Sequence, residues 1–146
     1  ITSGTYQRKI KEKMPETQVI SFPTRLFVPM IEEGFIYDDI SNAIIRSYLS
    51  NEQLKNVQAL ILGCTHYPII KNQIRKFYNF EVKVVDSSQI VAKHLKKILT
   101  INQLQQTDNA TPEYRFFVSD YTKMFENIAQ MFFDDHVNLK QINLWK

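Results

Sequence analysis

A thiol, a hydroxyl and an imidazole fall on three consecutive residues, Cys64, Thr65 and His66, within Gly63-Cys64-Thr65-His66-Tyr67-Pro68. The run before them, Val57–Leu62, is mostly apolar and of strand length, as suits a strand buried on both faces of a parallel sheet. Pro68 fits the first turn of a helix, where its missing N–H costs nothing. Cys64 therefore falls where a strand ends and a helix begins. In open α/β sheets that edge is where ligands bind. Free N–H groups at a helix N-terminus attract a carboxylate, and the same partial positive charge favours an ionised thiol. Thr65 adds a hydroxyl and a backbone N–H, and His66 a group that can give or take a proton.

Plainer roles exist for each of these residues. A lone Cys is often a small buried apolar residue, Thr65 suits an N-cap, and backbone groups can satisfy a histidine. Glu32 and Glu33 follow the apolar stretch Leu26–Ile31. Such a pair is commonly solvated, yet an acid partly buried there requires a proton donor or a charge partner, and His66 suits that need. His94 and His136 show no partner pattern and read as surface residues.

The positioning elements follow from periodicity. Thr5–Met14 reads as a short polar helix closed by Pro15, and Gln18–Ser21 as a short strand. Pro29 interrupts Leu26–Ile31, which reads as a buried loop. Asp38 and Asp39 start a helix carrying Ile40, Ala43, Ile44, Tyr48 and Leu49, running to about Leu54. Ile69, Ile70, Ile74, Phe77 and Tyr78 mark the buried side of the helix after Pro68. Glu81–Val85 is a strand, and Asp86-Ser87-Ser88 caps a helix carrying Ile90, Val91, Leu95, Ile98 and Leu99. Thr100–Pro112 is polar and reads as a loop or linker. Tyr114–Val118 is a strand, Ser119 and Asp120 cap a helix with Phe125, Ile128, Met131 and Phe132 inward, and Asn138–Leu144 is a last strand. Strands alternating with helices predict an α/β fold, a layered, parallel-rich sheet flanked by helices.

Composition excludes several classes. The 146 residues are 44% hydrophobic and 23% charged, as in ordinary globular chains, and the length fits one domain or pieces of two small ones. No apolar run reaches the roughly 20 residues of a membrane helix, and residues 1–20 lack the apolar core and cleavage site of a signal peptide. The cytoplasm is therefore the expected compartment, with no membrane partner. The net charge is +3 and the 18 basic residues are scattered, so a nucleic-acid surface is not expected; Lys9, Lys11 and Lys13 read as a solvated helix face. Ten Phe and seven Tyr fall mostly at core spacing and read as packing. The single Cys permits neither an internal disulfide nor a multi-Cys metal site.

Ile61-Leu62-Gly63-Cys64-Thr65-His66-Tyr67-Pro68 resembles the motif of the glutamate racemases, bacterial enzymes that make D-glutamate for the cell wall. Three further segments resemble the family in order and spacing. They are Leu26–Gly34, upstream of the motif, Ser3-Gly4-Thr5-Tyr6 at an early helix, and Phe117-Val118-Ser119-Asp120 at the terminal strand-to-helix turn. The resemblance implies an aspartate/glutamate racemase-like fold and a reaction without pyridoxal phosphate or metal. Two cysteines flank the α-carbon of glutamate; one removes the proton as thiolate and the other delivers a proton to the opposite face. By the same resemblance Cys64 is the thiol acting on the L-glutamate face, Thr65 binds substrate, His66 is the acid–base partner of the thiol, and Glu32 is a carboxylate that assists it. The full-length family member is expected to be a homodimer.

The family's opening strand with an Asp-Ser pair and its first Cys, in an Ala-Cys-Asn-Thr context, have no counterpart here. Residues 1–86 thus resemble most of the family's second domain without its first strand, and residues 87–146 the segment returning to the first domain. The expectation is a fragment that does not racemise glutamate alone and exposes apolar surface. Alternatives are a racemase of aspartate or another amino acid, which His66 and Tyr67-Pro68 disfavour, a non-catalytic interaction module, and a cysteine hydrolase, for which Cys64 and His66 stand too close in sequence.

Overall fold

The computed structural model describes residues 3–106, 111–133 and 137–144. Two parallel strand pairs organise it. Strand β1 (Ala59–Leu62) pairs with β2 (Lys83–Asp86), with Leu60 opposite Val84 and Leu62 opposite Asp86. A parallel pair needs a crossover, supplied here by a 3-10 turn (Tyr67–Ile70) and helix α4 (Lys71–Phe77). Farther along, β3 (Phe116–Val118) pairs in parallel with β4 (Leu139–Gln141), with helix α6 (Lys123–Phe132) between them in sequence. The expected α/β class with parallel pairing is what the structure has.

The core lies around the first pair. Phe27, Met30 and Ile31 of α2 (Phe27–Glu32), Ile45 and Leu49 of α3 (Asp39–Leu49), Leu54, Leu62, Ile70 and Ile74 form one buried cluster. Burying such side chains stabilises by about 1.5–3 kcal/mol each, so this cluster fixes the geometry of every loop it carries. Helix α3 starts as expected, with a capping box. Asp38 Oδ1 accepts from the Ser41 backbone N–H at 2.7 Å, and the Ser41 hydroxyl oxygen accepts from the Asp38 N–H at 3.1 Å.

Helix α3 stops at Leu49 rather than near Leu54. Asn51 there turns its side chain onto the Gln53 N–H at 3.0 Å and starts a separate 3-10 turn, Glu52–Leu54. The expected loop at Leu26–Ile31 is instead helix α2. Pro29 is its third residue, inside the first turn, where a missing N–H breaks no helical bond. Gly34, at φ 79, then ends α2. Its N–H reaches the Ile31 carbonyl and the Phe35 N–H reaches that of Met30, both at 3.0 Å, a paired closure that needs a left-handed residue. Gln18–Ser21 forms no strand, because no backbone among the described residues forms a ladder with it.

The later part packs differently. Helix α5 (Ser87–Ile101) is capped by Asp86, as expected, but none of its residues is buried. Ile90, Val91, Leu95 and Ile98, carried by α5 as expected, are exposed, as are Phe125, Met131 and Phe132 of α6; of the four apolar residues expected inward on α6, only Ile128 is buried. The α6 cap is Thr122 rather than Ser119 or Asp120, because the Thr122 hydroxyl is the group that accepts from the Phe125 N–H, at 3.1 Å. Of the expected polar linker Thr100–Pro112, residues 100 and 101 complete α5 and residues 107–110 lie outside the described residues, as does His136. His94 is exposed, as expected.

Candidate functional site

Strands β1 and β2 end side by side at Leu62 and Asp86, and the candidate residues gather at that edge. Leu62 is buried and anchors the end of β1. The chain then turns through Gly63 to a half-buried Cys64. The Tyr67 N–H reaches back to the Cys64 carbonyl at 3.3 Å, and the Ile69 N–H to that of His66 at 3.1 Å. The start of α1 (Thr5–Lys13) lies beside this turn, for a Cβ at Gly63 would stand 3.8 Å from the Tyr6 ring.

The element after Cys64 is a four-residue 3-10 turn followed by a seven-residue α4. The partial charge expected from a regular helix start is therefore carried by a short stack of aligned peptides. What the sulfur does meet is the imidazole: Cys64 Sγ stands 3.8 Å from His66 Nδ1. The Thr65 hydroxyl, exposed, lies 3.5 Å from the same nitrogen. On the far side of the ring, His66 Nε2 is 3.2 Å from Glu32 Oε1. Both ring nitrogens thus face side chains rather than backbone. The structure brings together all four residues singled out in the sequence: Cys64, Thr65, His66 and Glu32.

This arrangement constrains the protons. An ionised carboxylate only accepts, so facing one the neutral form of His66 would carry its hydrogen on Nε2, toward Glu32. The neutral ring then presents the Nδ1 lone pair to the thiol and the hydroxyl. A proton leaving the sulfur has an acceptor in place, and the resulting imidazolium has a carboxylate behind it. Yet the pair is not what holds the site together. The Glu32 side chain is 49% exposed and that of His66 29%, and ion pairs so exposed contribute about 0–1 kcal/mol.

Several neighbouring groups went unrecognised in the sequence. The Tyr67 hydroxyl is 2.6 Å from Thr24 Oγ1 and donates to the Thr24 carbonyl at 3.4 Å. Burial, first of all, pushes the Tyr67 phenol above its ordinary range, with the Thr24 hydrogen bond opposing and the charge of a Cys64 thiolate adding to the rise. At the end of β2, Asp86 accepts from the Ser88 hydroxyl and, at 2.9 Å, from the Ser88 N–H; Lys71 Nζ is 3.3 Å away. The Ser88 hydroxyl is the largest influence holding the Asp86 carboxyl below its ordinary value of 3.8, burial opposes it, and Lys71 adds to the lowering. Gln73, buried on α4, donates to Ser41 and Asn42, both at 3.1 Å, and so ties α4 to α3. Asp86 was legible as a cap, but neither Lys71 nor Thr24 carries a local signal, because each meets its partner only through the fold.

Thr65 and His66 also form one wall of a cleft of about 540 Å³. Its other lining comes from β3, α6 and β4, including Phe116, Phe125, Ile128, Phe132 and Leu139. Arg115 is the cation in the lining, and its guanidinium is held by both Glu113 oxygens at 2.8 and 2.9 Å. Among the described residues no group of three or more His, Cys, Asp or Glu could hold a metal ion, and no helix is long and apolar enough to cross a membrane.

Parallel strand pairs, with a thiol–imidazole–carboxylate line at the carboxyl edge of the first, define an α/β protein, and comparison with known proteins shows what it is similar to. No family model matches the chain. It is similar along its whole length to glutamate racemases. That of Persephonella marina is 35% identical over 147 residues, covering 100% of this chain and 53% of that protein, and that of Syntrophus aciditrophicus is 32% identical over 132 residues, covering 90% and 49%. The crystal structure of glutamate racemase from Francisella tularensis in complex with D-glutamate superposes with a TM-score of 0.87 at 42% identity, covering 99% of this chain and 54% of that one. The chain thus spans about half the length of the relatives it matches.

Proposed function

We propose that this chain is the Cys64-bearing part of a glutamate racemase. One observation carries the reading: Cys64 Sγ, His66 and Glu32 stand in line, with contacts of 3.8 and 3.2 Å, at the carboxyl edge of a parallel strand pair. The α-proton of an amino acid is a very weak acid, so its base must be held against it with water excluded. In the proposed reaction a thiolate on one face takes the α-proton, and a thiol on the other face gives its own proton to the resulting carbanion. The product is the mirror-image amino acid, and the two sulfurs have exchanged protonation states. Cys64 acts on the L-glutamate face. His66 takes and returns the Cys64 proton, Glu32 orients the ring and stabilises it when charged, and Thr65 binds substrate through its hydroxyl and backbone. No carbonyl cofactor or metal enters these steps.

The second thiol belongs to a segment outside this chain, as do groups for the substrate's carboxylates. The cleft beside Thr65 supports this division: among the described residues its lining is mostly apolar and the Arg115 guanidinium in it is already paired, whereas glutamate carries two carboxylates and an ammonium. Residues 1–86 are then most of one racemase domain and residues 87–146 the part returning to the other. The full-length protein is a cytoplasmic homodimer that supplies D-glutamate for peptidoglycan.

Assaying D-glutamate formed from L-glutamate tests this. The 146-residue chain alone is expected to be inactive. The same chain joined to the segment with the opposing Cys is expected to turn over, and Cys64→Ala to abolish that turnover. Turnover by the chain alone that vanishes in Cys64→Ala would overturn the division of the site. A substrate panel separates glutamate from aspartate, for which the joined protein is expected to show little activity.

A further inference from the structure

We infer that Tyr67 and Thr24 form a positioning pair that sets the distance between Glu32 and His66; this rests on the relay just proposed. Glu32 is the last residue of α2, and α2 is only six residues long. A helix that short does not hold its own orientation in water, and its N-cap, Leu26, offers no side-chain cap. The start of α2 is instead gripped from outside. Phe27, its first residue, is 2% exposed. Its ring meets Tyr67 edge-on at 5.5 Å and Tyr48 at 5.1 Å. The Thr24 carbonyl takes the Phe27 N–H at 3.2 Å and the Tyr67 hydroxyl at 3.4 Å, while the Thr24 and Tyr67 hydroxyls meet at 2.6 Å. The Tyr48 hydroxyl accepts the Leu26 N–H at 3.1 Å.

Two adjacent residues of the turn after Cys64 therefore address the two ends of one short helix. Tyr67 holds the beginning through Thr24 and Phe27, and His66 meets the end through Glu32. The rise from Phe27 to Glu32 is about 7.5 Å, so a slide or tilt at the start is carried directly to the carboxylate. Tyr67 remains a neutral phenol around neutral pH, since burial raises it above its ordinary value, and its grip is constant there. Among the described residues, His66 and Tyr67 are the titratable groups interacting with Cys64, and Glu32 faces His66 from α2.

The experiment is the rate of Cys64 alkylation by iodoacetamide against pH, read on the 146-residue chain with its melting temperature. Glu32→Gln tests the relay itself and is expected to slow alkylation near neutral pH. Tyr67→Phe keeps the ring against Phe27 and removes only the hydroxyl; Thr24→Val removes the other partner. Each is expected to slow alkylation by about threefold or more, and Thr24→Ser to restore the wild-type rate. The Tyr67→Phe, Glu32→Gln double variant should be no slower than Glu32→Gln, because Tyr67 acts through Glu32. A merely structural Tyr67 would lower the melting temperature and leave the alkylation profile alone; that result, with Glu32→Gln still slow, overturns the positioning role and spares the relay. Unchanged alkylation in Glu32→Gln overturns the relay and this inference with it. Should one of the two hydroxyl variants fail to fold, the other decides.

Discussion

The stretch from Phe27 to Ile74 and the stretch from Ser87 to Leu144 contain similar apolar side chains but put them to different use. In the first, α2, α3, α4 and β1 close around one cluster in which Ile31 and Ile70 are fully buried. In the second, α5 buries nothing and α6 buries only Ile128. Both stretches show the helical spacing that signals a core-facing stripe, so spacing states that a face is meant to be covered, and only the fold states whether this chain covers it. The candidate chemistry sits on the first stretch. Its turns are held by packed neighbours, whereas the second leaves the apolar faces of its helices exposed.

The largest expected effect probes that contrast directly. Ile31→Ala or Ile70→Ala should cost about 2–5 kcal/mol in denaturant unfolding, whereas Ile90→Ala or Leu95→Ala on α5 should change stability by less than about 0.5 kcal/mol. Equal losses would mean that α5 is covered in solution, by a second copy or by another part of the chain.

Next comes the junction between the two stretches. Asp86 ends β2 and caps α5, so Asp86→Ala should destabilise by about 0.5–2 kcal/mol. Its pH dependence has a definite sign. The folded carboxyl titrates below its ordinary 3.8, so its contribution is present above about pH 3.8 and is lost as pH falls through the lowered value. Acid unfolding of wild type against Asp86→Asn should show this as a stability gap that closes on acidification. A gap that widened would contradict the assignment.

A smaller effect is expected at Gly34. Its φ of 79 is a conformation that Ala resists, although nothing lies within 4 Å of an added Cβ. Gly34→Ala should therefore cost about 1 kcal/mol through backbone strain alone. It should also loosen the end of α2, read as a longer Glu32–His66 separation by paramagnetic or crosslinking distances. Hydrogen exchange sharpens the comparison at lowest amplitude: amides of α3 and α4 should exchange more slowly than those of α5.

Much of this was legible in the chain. The strand before Cys64, the cap at Asp38 and the cap at Asp86 followed from residue types and spacing, although the strand is not buried on both faces, since Ile61 is exposed. A partner for Glu32 or Glu33 was expected only of a partly buried acid; Glu32 is exposed, it meets His66 across 34 residues of sequence, and the family resemblance rather than burial singles it out. What was not legible depends on context. Pro29 signals a broken element, yet in a first turn it breaks nothing. Asn51 ends a helix that the apolar period alone would continue. Thr24 carries no local sign that its hydroxyl meets Tyr67, 43 residues away. The caps at Ser119 and Asp120 failed because Thr122 competes for the same N–H groups, a contest that propensity does not decide.

The central claim is that His66 is the proton partner of Cys64. The most direct measurement compares iodoacetamide alkylation of Cys64 in wild type and His66→Asn from about pH 6 to about pH 9. The expected result is a wild-type rate roughly tenfold higher near neutrality, converging with the variant as alkaline pH ionises the thiol without help. Superimposable profiles across the whole interval would contradict the claim.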